Sequence, residues 1–167
     1  MRDSFHDDLD GIGTSLVEMG HLVNKAMERA TTALLTADLK VAEEIISEDD
    51  TIDDMQHDIE ARAINLMARQ QPVAGDLRTL VTSLRMSADL ERMGDLAHHV
   101  AKLTRMRYPA AAVPPELVLT LQEMGNVTAR ITQKAIGVIE SRNLEAALQL
   151  EKDDDEMDIL HRRLFEI

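Results

Sequence analysis

At 167 residues the chain is long enough for one sizeable domain or two small ones sharing a core, and its wealth of Ala, Leu, Met, Glu, Asp and Arg points to helix. With two Phe, one Tyr and no Trp it lacks the aromatic surface that stacks bases, and a formal charge of −13 sets it against DNA, RNA and anionic lipid. Absent cysteine excludes disulfides and thiolate metal sites and fits a reducing cytoplasm; the acidic start MRDSFHDDLD is no secretory signal, and no apolar run approaches the roughly 18 residues of a membrane span.

The first element is a long helix. Leu9, Ile12, Leu16, Met19, Val23, Met27, Ala30 and Leu34 step by threes and fours, the spacing of one buried stripe. It breaks near TADLK, where Thr36 or Asp38 can cap the next helix. That second helix is predicted to run unbroken through Leu39, Ala42, Ile45, Asp49, Ile52, Ile59 and Leu66. Pro72, in RQQPVAGDLR, suits the first turn of a third helix reaching about Arg107, because its missing N–H has no helical partner there anyway. In this helix the core-facing row is read as Leu77, Val81, Leu84 and Ala88, continuing onto Glu91, Asp95 and His98. YPAAAVPPE is the Pro-rich stretch that follows, and reads as a linker.

After the linker the chain repeats itself. A shift of 105 residues lays SLVEMGHLVNKAMERATTALLTADLKVAEEIISEDDTID on TLQEMGNVTARITQKAIGVIESRNLEAALQLEKDDDEMD without a gap, matching EMG with EMG and one acidic cluster with the other. The organisation expected is a first three-helix repeat over 1–108, a linker over 109–115, and the first two helices of a second repeat over 116–167. The counterpart of Pro72 would fall near position 177, so the second copy is expected to lack its third helix. The apolar surface this leaves is one a partner chain can cover, hence an expected homodimer. The fold class is all-α: tandem, pseudo-symmetric three-helix bundles.

Three acidic pairs stand four residues apart: Asp49 and Asp53, Glu91 and Asp95, Asp154 and Asp158. Such neighbours repel by a few tenths of a kcal/mol on a bare helix, and become favourable when both grip one hard cation such as Mg, Mn, Fe or Zn. Among 31 acidic residues the same spacing also arises on merely solvated faces. What favours a cation is the place of Asp49 and Glu91 on the apolar stripe and the recurrence of the first pair in register in the second repeat. Antiparallel second and third helices joined at residues 70–72 would put Asp53 and Glu91 at nearly one height, each about 27–29 Å from the turn. Asp95-x-x-His98 and Asp158-x-x-His161 carry a second spacing used in bundle metal sites. Arg78, Arg85 and Arg92, seven apart, are read as exposed partners of Asp89 and Asp95, or less simply as a basic stripe for a partner or phosphate. No nucleophile elbow, Gly-rich phosphate loop or Ser/His/Asp set is present, so no catalytic residue is assigned.

QQPVAGDLR followed by DLERMGDLAHHV, on the third helix of a doubled unit, closely resembles the PhoU family across essentially the whole chain. The resemblance implies a cytoplasmic, non-enzymatic regulator. Such proteins restrain high-affinity phosphate uptake and phosphate-starvation signalling, between the ATPase subunit of a phosphate ABC transporter and a sensor histidine kinase. It also implies carboxylate motifs that bind metals, iron or zinc among them, carried here by Asp49, Asp53, Glu91, Asp95, Asp154 and Asp158, with Asp50, Asp54 and Asp155 as alternative registers. The competing expectations are a carboxylate-bridged di-metal oxidase and a metal-storage bundle.

Overall fold

A computed structural model describes residues 2–70 and 72–166, leaving aside the side chains of residues 2–4 and 49. Six α-helices and one 3₁₀ turn make up the described chain, and no strand occurs among those residues. Helix α1 (Arg2–Thr36) is followed by α2 (Leu39–Ser47), α3 (Asp49–Gln70) and α4 (Ala74–Arg107), then by the 3₁₀ turn Pro115–Leu117, α5 (Val118–Ser141) and α6 (Leu144–Arg163). The all-α class expected from the periodicity is the class observed.

Helix α1 sits at the centre. Its stripe of Phe5, Leu9, Ile12, Leu16, Met19 and Val23 is buried against α3 and α4, as its spacing predicts, with Ala33 rather than Leu34 buried near the end. The helix stops where Ala37 turns left-handed at φ 53, and Asp38 caps α2 by accepting a hydrogen bond from the Val41 N–H at 3.1 Å. The second repeat does the same 105 residues on. Arg142 is left-handed at φ 53, and Asn143 caps α6 by accepting from the Ala146 N–H at 3.1 Å.

The two repeats meet through α1 and α5, which pack against one another as pseudo-symmetric equals. A Cβ on Gly20 would lie 2.8 Å from Ile136 Cγ1; one on Gly125 would lie 2.5 Å from Thr31 Cγ2. Gly125 is the 105-shifted counterpart of Gly20, and Ile136 that of Thr31, so the two contacts are one contact made twice about a local two-fold. This is why glycine occupies both EMG motifs: a side chain there would push the helices apart.

Two expectations are corrected. The second helix is not continuous: Glu48 interrupts it between α2 and α3, its N–H reaching back to the carbonyls of Glu44 and Ile45. The local sequence SEDDTIDD is rich in residues whose side chains compete with the helical backbone, and Ser47 Oγ indeed donates to the Glu44 carbonyl at 2.8 Å. In α4 the buried row is Leu80, Ser83, Ser87, Leu90, Gly94, Ala97, Ala101 and Thr104, turned by roughly one residue, or 100°, from the row of bulky side chains. Leu77, Val81 and Ala88 are exposed, and Leu84, Glu91, Asp95 and His98 flank the core half-buried. The reason is close packing: α4 lies against α1, α2 and α3, and small residues let it approach all three.

Candidate metal centre

The site is built around the break between α2 and α3. One turn into α3, Ile52 lies directly over Gly94 of α4; a Cβ there would meet Ile52 Cδ1 at 2.9 Å and Cγ2 at 3.2 Å. This contact fixes the level at which the antiparallel helices touch. Asp53 follows Ile52, and Glu91 and Asp95 flank Gly94, all three half-buried. Beside the contact a cleft of ≈300 Å³ opens between α1, the helix break and α4, with Arg29, Glu48, Thr51 and His98 in its wall.

Arg29 holds the break in place. Its guanidinium donates to Glu44 at 2.8 Å and to Glu48 at 2.6 Å, tying α1 to the end of α2 and to its capping residue. Exposed pairs of this kind contribute about 0.2–1 kcal/mol each, so the role is chiefly positional. The second repeat repeats the device in weaker form: Lys134, the counterpart of Arg29, donates to Asp153 at 2.6 Å, the counterpart of Glu48. That hydrogen bond holds the Asp153 carboxyl below its ordinary range against the opposing pull of desolvation, with Gln149 and the nearby charges of Lys134 and Arg130 adding to it.

The predicted site residues are placed unequally. Asp53, Glu91 and Asp95 come to one level on two touching helices, whereas the side chain of Asp49 lies outside the described residues. Asp154 and Asp158 are exposed on α6, which touches α5 alone, so among the described residues no second helix stands beside them as α4 stands beside Asp53. Of the alternative registers, Asp50, Asp54 and Asp155 are all exposed. Among the described residues no three His, Asp or Glu side chains stand close enough to enclose an ion. The donor chemistry of the first-repeat set nevertheless suits a hard cation, being carboxylate oxygens on two helices at one height, partly sheltered from water. Helices α4 and α6, which carry the two Asp-x-x-His steps, do not touch, and this separates ligands that a di-metal oxidase needs in one core.

Sequence reasoning missed the cleft and the role of Arg29. Their signal was available only in retrospect: Arg29 and Lys134 share a register, as do Glu48 and Asp153.

Six helices, with α1 and α5 joined by glycine-centred contacts and carboxylates set beside the break between α2 and α3, define a class of α-helical bundle. A family described as the PhoU domain matches residues 16–104. The chain is 45% identical over 167 residues to the phosphate-specific transport system accessory protein PhoU homolog 2 of Mycobacterium tuberculosis, covering all of this chain and 78% of that protein. Among solved structures, PhoU from Pseudomonas aeruginosa superposes with a TM-score of 0.90 at 27% identity, over 97% of this chain and 77% of that one. The PhoU regulatory protein from Streptococcus pneumoniae gives 0.85 at 26%, over 96% and 74%. The chain belongs to the PhoU family.

Proposed function

We propose that this chain is an accessory regulator of phosphate transport that restrains high-affinity uptake and the phosphate-starvation response. It does so without chemistry of its own, as a cytoplasmic adaptor between the ATPase subunit of a phosphate ABC transporter and a sensor histidine kinase. The observation that carries this reading is the match, over the full length of the chain, to proteins named as accessory to phosphate-specific transport. An adaptor needs rigid surfaces at fixed separation, and two pseudo-symmetric units locked through Gly20 and Gly125 supply them.

In this reading Asp49, Asp53, Glu91 and Asp95 hold a metal ion on the first repeat; Asp154 and Asp158 form the corresponding half-set on the second. A bound divalent or trivalent cation supplies charge neutralisation, which relieves the repulsion within each acidic pair and pins α3 to α4 beside the break. The exposed apolar side chains along one face of α6, Leu144, Leu148 and Ile159, support a homodimer seated on that helix. Reconstitution tests the adaptor role. The purified chain is expected to co-elute with the transporter's ATPase subunit and with the cytoplasmic portion of the kinase; retention of neither, with metal present, contradicts it.

A further inference from the structure

The outward face of α4 differs from the rest of the surface. Along the side away from Ser83, Ser87, Gly94 and Ala97 run Leu77, Val81, Arg85, Arg92, Leu96 and Leu103, every one exposed, with Leu96 at 52% and Leu103 at 44%. Helices α1, α2 and α3 occupy the opposite side, and neither α5 nor α6 reaches α4. Arg78, Arg85 and Arg92 enter no hydrogen bond or ion pair among the described residues, so the pairing with Asp89 and Asp95 expected from the sequence does not form. Six of the chain's 18 Lys and Arg lie on this one helix, in a protein of net charge −13. The row from Leu77 to Leu103 is about 39 Å long.

We propose that this face docks an acidic amphipathic helix of a partner protein. Apolar side chains of that helix would lie along Val81 and Leu96, and carboxylates seven residues apart would meet Arg85 and Arg92, matching their spacing of two helical turns. The charge pattern selects the occupant. Two arginines one heptad apart without carboxylate partners, flanked along the row by exposed Val81 and Leu96, complement the spaced carboxylates of an acidic amphipathic helix, whereas Asp89 and Asp95, which border the same face, break up the continuous basic surface that an anionic lipid bilayer needs. Arg85 and Arg92 supply orientation and encounter rate, and the leucines supply the buried apolar area. The proposal stands independently of the phosphate reading, because it rests on the chemistry of one helix face and not on which protein is regulated.

The test uses the full chain and a synthetic peptide of four heptads with Leu at a and d and Glu at e and g, whose like charges discourage self-pairing. A peptide with Lys at e and g and vesicles of phosphatidylglycerol serve as the comparison probes. The Glu peptide is expected to bind, and both R85E/R92E and L96S/L103S to weaken it by about tenfold or more while circular dichroism stays unchanged. The surface control K40E/K152E is expected to bind within about twofold of the parent. Undiminished binding by R85E/R92E overturns the proposal. So does binding to the vesicles with none to the Glu peptide, or self-association of the chain that R85E/R92E abolishes, which would make a second copy the occupant.

Discussion

Substituting Gly125 tests the junction between the repeats, because the structure assigns opposite signs to two glycines on one helix. At Gly137 an added Cβ meets nothing within 4 Å, so Gly137→Ala gains the helix preference of alanine, about 0.5–1 kcal/mol. At Gly125 the same atom arrives 2.5 Å from Thr31 Cγ2 and 3.2 Å from its Oγ1. Thr31 cannot swing aside cheaply: it is β-branched, and its hydroxyl donates to the Met27 carbonyl at 2.9 Å. Overpacking of this kind costs about 1–3 kcal/mol, and so close an approach belongs in the upper half of that range. After the propensity gain, Gly125→Ala should destabilise by about 1–2 kcal/mol, leaving the two variants about 2–3 kcal/mol apart. Thr31→Ser deletes the clashing methyl but keeps the hydroxyl, and should recover about half or more of the loss in a double-mutant cycle. Urea unfolding followed by circular dichroism reads the parent, the two glycine variants, Thr31→Ser and the double variant Gly125→Ala with Thr31→Ser. Equal stabilities for Gly125→Ala and Gly137→Ala, or no coupling to Thr31→Ser, would refute the packing described for α1 and α5.

Removing the α2 cap with Asp38→Ala should cost about 1 kcal/mol, and Asn143→Ala should cost a similar amount at the start of α6; an unchanged urea midpoint in both contradicts the capping roles. Asp153 titrates below its ordinary value of 3.8, so its pairing with Lys134 stabilises the fold fully above about pH 5 and fades as pH falls through the lowered folded value. The stability gap between the parent and Lys134→Met should therefore be flat from about pH 5 to 7 and narrow in acid; a gap that widens toward acid would show the sign is wrong. Replacing Asp53 and Glu91 together by Ala should lower metal retained after dialysis while leaving the helical signal intact, since the change also removes like-charge repulsion. Equal metal content in parent and double variant would return these carboxylates to the role of a solvated seam.

Much of the fold was legible because its determinants are local or repeated. The stripe of α1 follows from spacing alone, and the cap of α2 follows from residue type, Asp38 being the one of the two candidates, Thr36 and Asp38, that serves; its 105-shifted counterpart Asn143 went unread. The face of α4 was not legible by the same rule. Spacing analysis weighs bulk, whereas the buried row of α4 is made of Ser83, Ser87, Gly94, Ala97 and Ala101, chosen for how near another helix can come. The break at Glu48 was hidden for a related reason, since the apolar period runs through it from Ile45 to Ile52 although the backbone hydrogen bonds do not. At the candidate site the residue types and the common height of Asp53 and Glu91 could be read from chain length between them and the turn. What could not be read was the means, a glycine at position 94 that lets Ile52 bring the two helices together.

The central claim is that this chain restrains phosphate uptake. The direct measurement is the rate of phosphate uptake, alongside a phosphate-starvation promoter reporter, in cells grown with ample phosphate and with the gene deleted, then restored as the full natural coding sequence. Deletion is predicted to raise uptake and switch the reporter on despite abundant phosphate, and restoration to return both to the repressed level. Uptake and reporter unchanged by deletion would contradict the account.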